Sequence, residues 1–105
     1  MLKIYDVSLS VIRKLRGVLD GIERRDPDLS RQLRRAATSV TLNLAEGSSS
    51  QGRNRNARYY NSHGSAKEVR ACLHVALAFG YIESVDDALT DEVERIIATL
   101  INLIV

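Results

Sequence analysis

A chain of 105 residues that is 45% hydrophobic and 27% charged has material for one modest core and is too apolar to stay disordered. A single cysteine, Cys72, excludes an intrachain disulfide, and the most apolar stretch, Ile96 to Val105, is about half of what a membrane span needs. The net charge of +2 hides a polarity: residues 1–60 hold 12 Lys/Arg against 6 acids, whereas residues 61–105 hold 3 against 7. Such polarity serves an anionic partner or the mating of unlike surfaces.

The first helical pattern runs over residues 4–24. Tyr5, Ile12, Leu15, Leu19 and Ile22 mark its core stripe, widened by Val11 and Val18. Asp6 in the first turns and the lack of a long apolar run speak against a secretory signal, and a cytoplasmic location is expected. Asp26-Pro27-Asp28 then supplies an N-cap, a residue suited to the first helical position, and a dipole-complementing carboxylate, opening a second helix over 27–48. Leu33, Ala37, Val40 and Leu44 give that helix its core stripe. Arg35, Ser39 and Asn43, with Glu46 beside them, form a polar stripe bordering the apolar one. Gly47, three serines and Gly52 predict the break.

A third helix is expected over 55–79, with Tyr59, Ala66, Val69, Leu73, Ala76 and Leu77 inward and Gly80 as its C-terminal cap. Of Tyr59 and Tyr60, one belongs in the core by its spacing and the other is a candidate for base stacking. Ser84 and Asp87 have the spacing of a capping box for a fourth helix over 85–104. Its apolar face is wide enough that Ile97, Ile101, Leu103 and Ile104, extended by Val105, are expected to bury against another copy. With no β-type alternation and short connections, the expected fold is all-α: one domain over 1–105, an antiparallel up-down four-helix bundle, oligomeric.

If helices two and three form a hairpin about Ser50, Asn43 faces Arg58, and Arg35 falls within reach of Ser65 and Glu68. The sequence therefore predicts a structural polar network of Arg35, Ser39, Asn43, Glu46, Arg58, Ser65 and Glu68, with ion pairs Glu46–Arg58 and Arg35–Glu68. A carboxylate held beside an arginine has its pKa depressed, which unsuits it for proton transfer near neutrality. No catalytic residues are assigned. His63 and His74 are about 16 Å apart along a helix and lack completing ligands, so neither a metal site nor a cofactor is expected.

The run QLRRAATSVTLNLAEG followed by ARYYNSHGSAKEVRACLHVALAFGYI resembles the bacterial four-helix-bundle family of the 23S ribosomal RNA intervening-sequence proteins. The motifs that carry the resemblance are Asn43, Ala45, Glu46 and Gly47 closing the second helix, and Gly64, Ser65 and Glu68 inside the third. It implies a four-helix bundle assembled as a homopentamer. It also implies a distant likeness to accessory proteins of diversity-generating retroelements, which bind nucleic acid and a reverse transcriptase. The functional expectation is a non-enzymatic protein that binds RNA or DNA electrostatically through Arg31, Arg34, Arg53, Arg55 and Arg58. The alternative is a homo-oligomeric scaffold for a protein partner, with no nucleic-acid role and no membrane contact.

Overall fold

The computed structural model describes residues 2–104, and those residues form four helices and no strand. Helix α1 spans Lys3–Glu23, α2 Pro27–Ser48, α3 Gly52–Phe79 and α4 Asp87–Leu103. α1 packs against α2 and α4, and α3 packs against the same two helices. The molecule measures 42 × 24 × 19 Å. At about 1.5 Å per residue, the 28 residues of α3 run its full length.

Local chemistry sets each boundary. Asp26 Oδ1 accepts the Leu29 N–H at 3.0 Å, and Pro27 opens α2 behind it. At the other end of α2 the serine hydroxyls quench the last carbonyls: Ser48 Oγ donates to Leu44 O at 2.9 Å and Ser50 Oγ to Glu46 O at 2.7 Å. α3 starts at Gly52, with φ 58°, three residues ahead of the expected start at residue 55. Arg53, Asn54 and Arg55 therefore belong to its first turn. It ends at Gly80, whose φ of 74° lets the Gly80 and Tyr81 amides turn back onto Leu77 O and Ala76 O. α4 opens two residues later than expected. Asp86, not Ser84, caps it, accepting the Ala88 N–H at 3.1 Å.

The α2 stripe of Leu33, Ala37, Val40 and Leu44 is buried, facing Tyr59, Ala66, Val69 and Leu73 of α3 and Leu89, Val93, Ile96 and Leu100 of α4. α1 is rotated from its expected setting. Ile4, Ser8, Val11, Leu15 and Ile22 point inward, while Tyr5, Ile12, Val18 and Leu19 are only partly buried. The cause is Ser8, a small hydroxyl that takes a central position and accepts a bond from Thr41 of α2 at 2.9 Å. Ile97, Leu103 and Ile104 lie partly buried against their own protomer's core, so the exposed apolar face expected on α4 shrinks to Ile101, 55% exposed. Val105 lies outside the described residues.

Polar clasps close the outer seams. Arg70 Nη1 reaches both oxygens of Glu94, at 2.9 and 3.1 Å, joining α3 to α4. Lys14 Nζ lies 2.7 Å from Glu92 Oε1, which also accepts from Ser10 Oγ at 3.0 Å, joining α1 to α4. Burial raises the Glu92 pKa, but hydrogen bonds from Lys14 and Ser10 and the charges of Lys14 and Arg13 outweigh it, leaving the carboxyl below its ordinary range. A depressed folded-state pKa gives stability that is present above the unfolded value and lost as pH falls through the folded one. Glu92→Gln should cost about 0.5–1 kcal/mol at neutral pH, discounted for solvent screening. Urea melts of the two proteins should converge as pH drops through the carboxylate range. Curves that stay parallel into acid would show that the clasp contributes nothing through its charge.

Candidate functional site

The seam between α2 and α3 is narrow because small residues line it. Ala36 and Gly47 of α2, and Ser62 and Ala66 of α3, are buried there. A Cβ on Gly47 would come within 2.7 Å of Tyr59 Cδ1 and closer still to Cε1. Gly47 is thus not the helix break expected of it; it lies inside α2 and makes room for the Tyr59 ring. Ser62 Oγ donates across the seam to Val40 O at 2.9 Å. Asn43 Nδ2 donates to Ser39 Oγ at 3.0 Å, and the Ser39 and Ser65 hydroxyls share a hydrogen bond at 2.7 Å. Among the described residues no buried side-chain polar atom lacks a partner.

Above this seam Glu46 and Arg58 meet as the pair expected of them, although the facing of the two helices is shifted from the count about Ser50. Arg58 Nη1 lies 2.9 Å from Glu46 Oε2, and Ser65 meets Ser39. Arg58 and Ser65 each find their partner three residues nearer the interhelical turn than simple pairing about Ser50 places it. Helical side chains lean toward their own N-terminus. In helices running in opposite directions, that lean points away from the turn on α2 and toward it on α3, which produces this offset. With the same offset Arg35 stands opposite the buried Val69, so the expected Arg35–Glu68 pair is not formed; both side chains are exposed, and no ion pair joins them among the described residues.

What the offset builds is an open groove of about 460 Å³. Three guanidinium side chains, Arg34, Arg35 and Arg58, line it beside Thr38, Ser39 and Asn43; the Thr38 hydroxyl donates to Arg34 O and the Asn43 amide to Ser39 O and Oγ. Glu46 is its one carboxylate and Leu42, 57% exposed, its one large apolar surface. The Glu46–Arg58 pair is itself half exposed, at 56% and 40% of the side chains, so it is worth no more than about 1 kcal/mol and leaves two arginines unneutralised.

The five arginines expected to share a ligand are distributed unequally. Arg34 and Arg58 line the groove, joined there by Arg35. Arg31 is held by Asp28 one turn earlier on α2. Arg53 and Arg55 sit in the first turn of α3, which has neither a side-chain cap nor an acid. Arg55 Nε donates to Ser50 O at 2.9 Å, and Arg53 is exposed. Two cations there oppose the helix dipole by up to about 1 kcal/mol each. The buried hydroxyls Ser8, Thr41 and Ser62 escaped the sequence reading, although Ser8 stands at helical spacing between Ile4 and Val11.

Two nucleophile and base candidates are quiet. Burial, then the charge of Glu68, pushes the Cys72 thiol up, so it stays protonated and inert. Burial, then Lys67 and Arg70, holds the His63 imidazole below its usual range. Among the described residues no three His, Cys, Asp or Glu side chains gather as a metal would require, and no helix is long and apolar enough to cross a membrane.

An all-α protein of four helices with a hydroxyl-bonded seam and a basic groove is therefore the class defined by fold and site. The chain belongs to the family described as 23S rRNA-intervening sequence protein, whose model matches residues 2–102. A solved structure from Bacteroides thetaiotaomicron, a protein with unknown function from the S23 ribosomal protein family, is similar, with a TM-score of 0.80 and 20% identity over 96% of this chain and 97% of that one. At that identity the likeness speaks for the fold alone. No curated protein matches the chain.

The two glycines of the family-like motifs differ physically. Gly47 meets Tyr59, whereas a Cβ on Gly64 would meet nothing within 4 Å. Gly47→Ala should therefore lower stability by about 1–3 kcal/mol, and Gly64→Ala should raise it by up to about 1 kcal/mol through helix propensity. Urea denaturation followed by far-UV circular dichroism reads both. Wild-type stability in Gly47→Ala would show that the seam has slack.

Proposed function

We propose that this protein is a non-enzymatic, cytoplasmic, antiparallel up-down four-helix bundle that self-associates and binds RNA or DNA through its arginine-rich surface. The observation that carries the reading is the α2–α3 groove, where three arginines face a single carboxylate and offer guanidinium N–H groups to phosphate oxygens. Arg53 and Arg55, at the uncapped start of α3, extend that field. Arg31 contributes less, being occupied by Asp28. The family's description, which ties its members to sequences interrupting 23S rRNA, supports a nucleic-acid ligand. Binding through guanidinium groups and phosphates is salt-sensitive and poor in sequence discrimination.

Self-association, as a homopentamer by the resemblance, would repeat the groove around an axis and multiply a weak contact by valency. Leu42, exposed within the groove, favours a second reading in which the groove docks a protein partner and the assembly is a scaffold.

A labelled RNA hairpin titrated at two salt concentrations separates the two. Loss of binding at about 10 μM protein in low salt would exclude the nucleic-acid reading. The double variant Arg34→Ala, Arg35→Ala should flatten the plot of log K against log salt by about 0.7–0.9 per phosphate contact removed. An unchanged slope would remove the groove from the interface. Light scattering tests assembly: a solution mass of 11.7 kDa is that of a lone chain and contradicts it.

A further inference from the structure

The two adjacent tyrosines of α3 have opposite fates. Tyr59 is 5% exposed against Gly47, whereas Tyr60, about 100° further round the helix, is 67% exposed. Among the described residues Tyr60 has no ring or cation partner, so its face is open to a ligand. Its surroundings are particular. Arg53 lies seven residues before it and Lys67 seven residues after, two turns in each direction, so the three share one line at intervals of about 10 Å. All three are exposed, and neither cation is ion-paired among the described residues. Gly64, one turn beyond Tyr60, leaves the space beside the ring open. Glu68 is the only acid on α3, in a helix that carries five Lys/Arg.

We propose that this outer face of α3 carries a single-stranded segment of RNA or DNA, with a base stacked on Tyr60 and flanking phosphates held by Arg53 and Lys67. The inference rests on the nucleic-acid reading above and adds the strand class to it. Unpaired nucleotides offer base faces to a side chain, whereas a duplex keeps those faces stacked inside and exposes phosphates, sugars and groove edges. A tyrosine between two cations, on a line about 20 Å long, matches the alternation of stacking and phosphate contact in sequence-tolerant single-strand binding.

The test uses the full chain with a fluorescein-labelled oligothymidylate, an oligouridylate of equal length, and a blunt duplex of the same length. Tyr60→Ala, at an exposed position, should keep the wild-type helical spectrum, weaken single-strand binding about tenfold and leave duplex binding within about twofold. The chain has no tryptophan, so Tyr60→Trp places a lone indole on the face. Its emission should be quenched by the single strands and unmoved by the duplex. Equal losses for single strand and duplex, no loss for either, or an indole that ignores single strands would each overturn the stacking proposal while leaving electrostatic binding intact. Should the wild-type chain bind none of the probes at low salt, both readings fall together. A blue-shifted indole shielded from acrylamide in the free protein would also overturn it, since that face would then be covered by another copy.

Discussion

The approach of α2 to α3 governs the molecule, and it is possible only because Gly47 has no side chain. With the Tyr59 ring seated on that backbone, Ser62 reaches Val40 O and Ser39 reaches Ser65. Each of these hydroxyl bonds is worth about 0.5–1.5 kcal/mol net. A fully buried Leu such as Leu33 or Leu44 contributes about 1.5–3 kcal/mol. The apolar stripes therefore supply most of the stability. The hydroxyls supply register: a slip along the seam would strand buried donors and acceptors, and stranding each costs about 1–3 kcal/mol.

Register then decides the chemistry on the surface. The Glu46–Arg58 pair contributes little as an ion pair, since water reaches both groups. Its consequence is positional, holding Arg58 over the same groove that Arg34 and Arg35 enter from α2. A seam of longer side chains would push the helices apart and carry the guanidinium groups out of reach of a common ligand. The outer clasps, Arg70–Glu94 and Lys14–Glu92, work differently. They neutralise cations on the α4 side, so that uncompensated positive charge accumulates on α2 and the first half of α3.

Much of this was legible in the residues. The α2 stripe, the Asp26-Pro27 start and the Gly80 stop are local signals, each with a side chain or backbone requirement that acts within one turn. What failed was tertiary. The facing of Asn43 and Arg58 followed from counting residues about the turn, which ignores the lean of helical side chains. The Arg35–Glu68 pair failed for the same reason. The inward set of α1 turned on Ser8, a residue no hydrophobic stripe contains, whose place depends on a hydroxyl arriving from α2. The apolar area expected on α4 is reduced, with Ile101 still exposed, because Ile97, Leu103 and Ile104 pack partly against their own core.

α3 explains why charge and stacking can be separate functions of one small chain. It runs the whole length of the molecule, and its inner face is spent on the core. Successive residues on a helix are about 100° apart, so Arg58 and Tyr60 point to sides about 200° apart. The groove cations share their space with α2, whereas the line of Arg53, Tyr60 and Lys67 is free of packing constraint. A ligand that needs only phosphate contacts is satisfied by the groove. One that can unstack a base gains from the second face as well, and Arg53 and Arg55, in the first turn of α3, stand where the two faces begin.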